Sequence, residues 1–352
     1  MKTASEKQID LKQAWKDLRE ADPKIRIRNA AAQLGVSEVE LLATACGESV
    51  TRLDVKDWNE FLTRLEPLGR VMALTRNDQF VHERKGVYQN PETGLPHNMA
   101  LFVNPDIDLR IFLGPWTSAF SVVEETPRGR RESLQIFDEH GTAIHKIYLL
   151  EESNREAFEK ITEMYRSADQ SPHQTVLPPA EKTPEKPDSE IDVENFRRAW
   201  AELKDTHDFF PMLKKFGVSR LQALRLADAE MAYEVKTNAL RAILQKAAER
   251  QLPIMVFVGN RGIIQIHTGT VEKVFEHGEW FNVMDEAFNL HAKESELARA
   301  FVVKKPTTEG IVTSVEFFNN EGEDVALFFG RRKPGIPEMN EWRELVAELE
   351  RI

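Results

Sequence analysis

The sequence predicts an α+β fold made by tandem duplication, each half a large, mainly antiparallel β-sheet flanked by α-helices. Three observations carry this. A proline-rich stretch divides the chain, the two flanking segments match each other at a nearly fixed offset, and each flank reads as helices, then a run of strands, then a closing helix. The chain has 352 residues, with 47 Lys and Arg against 58 Asp and Glu, for a formal net charge of −11. At ~100–200 residues per domain, that length accommodates two domains, each able to bury its own core.

Residues 168–192 hold five of the 17 prolines and almost no large apolar side chains. Proline restricts its own φ and its predecessor's conformation, so this segment reads as a semi-extended linker. The expected organisation is an N-terminal repeat over 1–167, the linker over 168–192 and a C-terminal repeat over 193–352. At an offset of 181, Ser133, Phe137, Gly141 and Tyr148 fall opposite Ser314, Phe318, Gly322 and Phe329, and Gly129 opposite Gly310. Ala119-Phe120 matches Ala300-Phe301 at the same offset, Gly35-Val36-Ser37 matches Gly217-Val218-Ser219 at 182, and Ala14-Trp15 matches Ala199-Trp200 at 185. A few short insertions account for the drift.

Apolar residues at helical spacing predict helices over 8–21, 26–34 and 38–45, then over 193–205, 208–216, 219–228 and 237–250, with closing helices at 153–166 and 338–350. Gly35 and Gly217 stand where helices end, and Ser37 and Ser219 stand where the next ones are capped. Runs rich in β-branched and aromatic residues follow, and Asp138-Glu139-His140-Gly141 and Asn319-Asn320-Glu321-Gly322 read as hairpin turns between them.

Composition excludes several classes. The single cysteine, Cys46, leaves no intramolecular disulfide and no Cys-based zinc or cluster site. The first twenty residues lack the apolar core of a signal peptide, and no run of ~18 uncharged apolar residues occurs, so a cytoplasmic protein without membrane insertion is expected. The acidic balance opposes nucleic-acid binding by bulk charge. No phosphate loop, dinucleotide fingerprint, zinc-protease motif or nucleophile elbow is present. The simplest role of Gly259-Asn260-Arg261-Gly262 is a turn. Lys304-Lys305-Pro306 and Arg331-Arg332-Lys333 read as solvated basic faces.

Polar residues that differ between the repeats are the candidates for function. His207, in Asp205-Thr206-His207-Asp208-Phe209-Phe210, has no counterpart in the first repeat, and Arg110 falls opposite His291. The plain readings are a surface or capping histidine, and an arginine that faces solvent or pairs with Asp108.

The His207 segment, together with Ile254-Met255-Val256-Phe257-Val258-Gly259-Asn260-Arg261-Gly262, Val271-Glu272-Lys273-Val274, Lys305-Pro306-Thr307 and Asp106-Ile107-Asp108-Leu109-Arg110, resembles the HemS/ChuS/PhuS family of cytoplasmic haemin-utilisation proteins. The resemblance spans essentially the whole chain. It implies haem b held in a cleft between two similar halves, with His207 as the axial ligand of the iron, Arg110 as the distal and catalytic arginine, and Phe112 against the porphyrin. It also implies Arg220, Lys305 and Arg332 as the basic residues facing the propionates. Where relatives read Tyr-Gly-Gln-Arg, this chain has Phe329-Gly330-Arg331-Arg332, so a tyrosine hydroxyl near the haem is replaced by Phe329 and a positive charge is gained. The implied function is to accept imported haem and either pass it on or open its ring with an external electron donor. The implied partners are a haem oxygenase or an inner-membrane haem importer. The alternative is a haem-responsive regulator that binds DNA in its haem-free state.

Overall fold

In the computed structural model, which describes residues 4–126, 129–179, 184–332 and 335–352, helices and strands alternate in the order the duplication requires. The helices are α1 (Ala4–Ala21), α2 (Ile27–Leu34), α3 (Glu38–Ala43), α4 (Trp58–Thr63), α5 (Arg155–Met164), α6 (Val193–Ala201), α7 (Phe209–Phe216), α8 (Arg220–Leu226), α9 (Ala239–Glu249) and α10 (Asn340–Ala347). The strands of the first repeat are β1 (Val50–Leu53), β2 (Val71–Arg76), β3 (Phe80–Gly86), β4 (Glu92–Leu95), β5 (Met99–Val103), β6 (Asp108–Phe112), β7 (Ser118–Thr126), β8 (Gly129–Phe137) and β9 (Ala143–Leu149). Those of the second are β10 (Ala232–Val235), β11 (Ile254–Asn260), β12 (Ile263–Gly269), β13 (Val274–His277), β14 (Trp280–Met284), β15 (Phe288–Ala292), β16 (Arg299–Thr307), β17 (Gly310–Phe318) and β18 (Asp324–Gly330). Among the described residues the strands form two nine-stranded antiparallel sheets, so the α+β class and the duplication are observed.

The chain divides into two units. Unit 1 comprises Met1–Thr75, Arg84–Ala180 and Asn260–Ile264; unit 2 comprises Arg76–Glu83, Glu181–Gly259 and Gln265–Ile352. Each unit therefore includes a short segment that the sequence places in the other repeat. Unit 1 contains the strand run β1-β7-β8-β9-β2 and a smaller run β6-β5-β4; unit 2 contains β10-β16-β17-β18-β11 and β15-β14-β13. The copies agree in register and in defect. Thr126 pairs with Gly129 as Thr307 pairs with Gly310, and a bulge lies at Ile136/Phe137 as one lies at Phe317/Phe318.

Local chemistry explains the helix boundaries. Gly35 and Gly217 end α2 and α7 in the left-handed conformation, with φ of 66° and 64°, where a side chain is disfavoured. Ser37 accepts from the Glu40 amide in a complete capping box, and Ser219 accepts from the Gln222 amide. The helix expected over 193–205 stops at Ala201, and Asp205 instead starts a separate 3-10 turn, Thr206–Asp208. Helix α4 was not legible in the sequence. Its six residues are too short to establish a period, and it rests on Asp57, whose carboxylate accepts from the Asn59 and Glu60 amides.

In unit 1, Phe61 of α4 and Phe158 of α5 join Val71, Leu109, Ile111 and Leu134 in one apolar core. In unit 2, α9 and α10 bury Leu240, Ile243 and Trp342 against Val256, Phe317 and Phe328, while α6 to α8 form a second cluster with Phe196, Trp200, Phe209, Phe301 and Phe318. The described parts of the proline-rich segment are docked on these units; 180–183 lie outside the described residues. Arg52 and Gln170 exchange main-chain to side-chain bonds of 2.9 and 3.0 Å in unit 1, and Gln222 donates to the Lys186 carbonyl at 2.7 Å in unit 2. Among the described residues no helix is long and apolar enough to cross a membrane.

The Asp138–Gly141 hairpin turn sets a testable contrast. Gly141 has φ +80°, and a Cβ there would lie 2.3 Å from Ser37 Oγ, whereas Gly35 at φ +66° has open space around it. Gly35→Ala is expected to cost about 1 kcal/mol through backbone strain. Gly141→Ala should cost a further ~1–3 kcal/mol because the α3 cap must move. Urea denaturation of the two variants side by side measures the difference, and equal midpoints would contradict it.

Candidate functional site

His207 owes its position to Asp205. The Asp205 carboxylate accepts from the His207 amide at 2.8 Å and lies 2.6 Å from His207 Nδ1. An ionised carboxylate only accepts, so Nδ1 carries the proton that faces Asp205, and Nε2 is the ring nitrogen left without a protein partner at this contact. The imidazole is 90% exposed. An exposed side chain held in one tautomer by a carboxylate is the arrangement that metal-ligating histidines show, with the second nitrogen directed to the metal. The backbone and side-chain bonds from His207, aided by the nearby charge of Arg332, hold the Asp205 carboxyl below its ordinary value. The Arg332 charge is thus felt at the carboxylate that holds His207. Lys333, read with Arg332 as a basic cluster, lies outside the described residues.

Two residues beyond His207, Phe209 is 2% exposed and packs edge-on against Trp200, with ring centroids 4.7 Å apart. Lys305 Nζ lies 4.4 Å and Arg220 Cζ 5.3 Å from the centre of the Phe209 ring. Both cations are bound to Glu316. Arg220 donates to its two oxygens at 2.7 and 2.9 Å, Lys305 donates at 2.8 Å, and Ser314 Oγ donates at 2.9 Å. Glu316 has no exposed surface. Burial opposes its ionisation, but the two cations outweigh burial and hold its carboxyl far below the usual range. Burial is also the largest influence on Lys305 and pulls its ammonium below the ordinary value against the attraction of Glu316. The basic pair Lys304-Lys305, read as a solvated face, is thus half wrong: Lys305 is 4% exposed and belongs to a buried ion network.

Arg110 lies on β6 in unit 1. The strand alternates, with Leu109 and Ile111 in the core and Asp108, Arg110 and Phe112 on the partly exposed face. Arg110 Nη1 donates to Asp108 at 2.5 Å, so the pairing with Asp108 is realised. Burial pushes the Asp108 carboxyl up against the lowering pull of Arg110. The end of β6 is fixed by Gly262, whose carbonyl accepts from the Phe112 amide at 2.9 Å and from Trp116 Nε1 at 3.0 Å. A Cβ on Gly262 would meet Ile144 at 2.8 Å. The Gly259–Gly262 segment is therefore a turn and also a docking element. In unit 2, the Phe329 ring sits 5.0 Å from that of Phe257 on the adjacent strand. His291, opposite Arg110 in the repeat, is bound to Asn282 at 2.7 Å.

The structure thus gathers His207, Phe209, Arg220, Lys305 and Arg332 around one turn of unit 2, and Arg110 and Phe112 on one strand face of unit 1. Sequence reasoning missed Asp205 and Glu316. Asp205 was signalled by an acid two residues before the unpaired histidine. Glu316 was signalled by its position opposite Gln135, a change of charge between copies.

The haemin-degrading HemS.ChuX domain family matches the chain twice, over residues 35–165 and 217–349. The hemin transport protein HmuS of Yersinia pestis is 40% identical over 323 residues, 92% of each chain. Among solved structures, holo-PhuS, a heme-binding protein from Pseudomonas aeruginosa, superposes with a TM-score of 0.95 at 46% identity, covering 98% of this chain and 99% of that one. The heme degrading enzyme ChuS of Escherichia coli O157:H7 gives 0.90 at 33% identity, covering 97% and 99%.

The depressed Asp205 carboxyl has a defined pH consequence. A carboxyl lowered on folding contributes above its unfolded value, ~3.9, and its contribution is lost as pH falls through the lower folded value. The His207 turn should keep its Asp205 bond throughout the range above about pH 4 and loosen only below it. Carboxyl ¹³C NMR should give Asp205 a midpoint below that of an unstructured aspartate, and a midpoint at or above it would contradict the assignment.

Proposed function

The chain belongs to the haemin-degrading HemS.ChuX domain family, and from that membership we propose that it binds haem, serving haem uptake and use, with His207 as axial ligand of the iron. The observation that carries the reading is the exposed His207 imidazole, oriented by Asp205 through Nδ1. Neutral imidazole is a good haem-iron ligand. Arg332, whose charge acts on Asp205, is the cation proposed for a haem carboxylate. Arg220 and Lys305 were expected in the same role, but their charge is matched by Glu316 and, 4.0 Å from Arg220, by Asp324. Their proposed contribution is therefore to the electrostatics of the turn, and Arg332 carries the anchoring. Phe112 and Phe329 supply partly buried aromatic surface suited to a porphyrin.

Haem b is the proposed form, taken as cargo in the cytoplasm. Two fates are compatible with relatives named for transport and for degradation: transfer to a haem oxygenase or other acceptor after delivery by a membrane importer, or opening of the ring with an external reductant. Bound haem supplies the redox-active iron for the second. The protein's part is to hold the iron through His207 and to present Arg110, permanently charged, as a hydrogen-bond donor to the iron's sixth ligand. The net charge of −11 disfavours the DNA-binding alternative.

Titration of the purified protein should saturate at one haem per chain, and two equal sites would overturn the assignment to His207 alone. His207→Ala should change the Soret band and weaken binding. Arg110→Ala should bind nearly as tightly yet alter the sixth-ligand spectrum; an unchanged spectrum would remove Arg110 from the site. Arg332→Ala should speed haem loss by the equivalent of about 1.5–3 kcal/mol, the worth of a hydrogen bond to a charged group. An unchanged off-rate would return Arg332 to a solvated face. Single-turnover spectra with reductant and catalase separate transfer from ring opening.

A further inference from the structure

The ion network beneath Phe209 is larger than packing requires. A carboxylate and a lysine are buried and an arginine is 20% exposed, at a place of the kind where apolar side chains of similar volume often serve as well. The first repeat takes the plainer course. The positions opposite Arg220, Lys305 and Glu316 are Glu38, Glu124 and Gln135. There Gln135 donates to Ser133 and Glu38 pairs with Lys146 at 2.5 Å. At these corresponding positions the three-member network is found in the unit that carries His207; unit 1 has a buried carboxylate with two cations elsewhere, Glu132 with Arg130 and Arg155.

Its geometry leads to that histidine. Glu316 on β17 fixes Arg220 at the start of α8 and Lys305 on β16. Both cations then face the Phe209 ring, where attraction to the π-face is strongest in a desolvated setting. Phe209 starts α7 directly after the Thr206–Asp208 turn and is that turn's C-cap residue, so its ring and the turn share one stretch of backbone. We infer that Glu316 is a positioning residue for His207, acting through Arg220, Lys305 and the Phe209 ring to fix the turn on which the imidazole and its Asp205 partner meet. The inference rests on the proposed role of His207 as iron ligand, but its structural content can be read without haem.

The experiment compares Glu316→Gln and Phe209→Leu with the parent, using full-length protein. Imidazole ¹⁵N shifts of His207 in the haem-free protein report whether the ring stays as the single Nδ1–H tautomer. The ferric haem complexes then report axial ligation by electron paramagnetic resonance. Both variants should move the ring shifts toward a tautomer average, split the ferric signal into more than one species and release haem faster. If both variants fold and keep the parent's ring shifts, the network is scaffold only and the inference is overturned, whatever the haem spectra. If Glu316→Gln does not fold, Phe209→Leu, which leaves all three charges paired, decides alone. If the parent takes up no haem, the proposed function fails, while the ring shifts still decide whether Glu316 positions His207.

Discussion

A carboxylate with no exposure to water can stay ionised only if the protein replaces its whole hydration shell, and Glu316 does this with four donated hydrogen bonds from three side chains. Those donors come from α8, β16 and β17, so the requirement for charge matching draws a helix start and two strands to one point. Removing one partner of such a network leaves an uncompensated buried charge, a loss of about 3–5 kcal/mol. The arrangement of the unit 2 cluster around Phe209 depends on that constraint together with its buried aromatic contacts.

The duplicated scaffold makes the constraint visible by contrast. In each unit the residue after the serine cap reaches down to the sheet, Glu38 to Lys146 in one and Arg220 to Glu316 in the other. An acid in a first helical turn is favoured by the helix dipole, and a base is disfavoured, by roughly 0.3–1 kcal/mol. Glu38 obeys the local rule and Arg220 breaks it. Sequences that break a local rule tend to do so at functional positions and to compensate elsewhere. Here the compensation is Glu316, in place of the first repeat's Gln135.

Much of the fold was legible because its signals are local. The Gly35 and Gly217 helix ends, the Ser37 and Ser219 caps and the two hairpin turns each depend on the conformational preference of one residue, and each lies where the sequence put it. Strand β1 and helix α4 were not legible because four and six residues are too few to show a period. The site divides the same way. His207 and Arg110 stood out by asymmetry between copies, and the Arg110–Asp108 pair was readable from alternation along a strand. The contacts of Arg220 and Lys305 with Glu316 span 96 and 11 positions, so no local pattern announces them, and cations that look available in the sequence are already engaged in the fold. The Gly262 approach to Ile144 and Trp116 is hidden for the same reason.

The exposure of His207 bears on the kind of binding the turn suits. A ligand buried in a core would need the fold to open before cargo could enter or leave, and every transfer would then cost part of the unit's stability. An imidazole that is 90% exposed exchanges only water for cargo. Exposure alone would leave the ring free to rotate and to choose its tautomer, at a cost in entropy on every binding event. Asp205 removes that freedom beforehand, and on the inference drawn above the buried network beneath Phe209 keeps Asp205 and His207 on one turn. On that inference orientation is supplied from below, in the low-dielectric interior, while the outer face of the imidazole stays in water. On the proposed reading, this separation lets the chain hold a haem in defined geometry and still release it without unfolding.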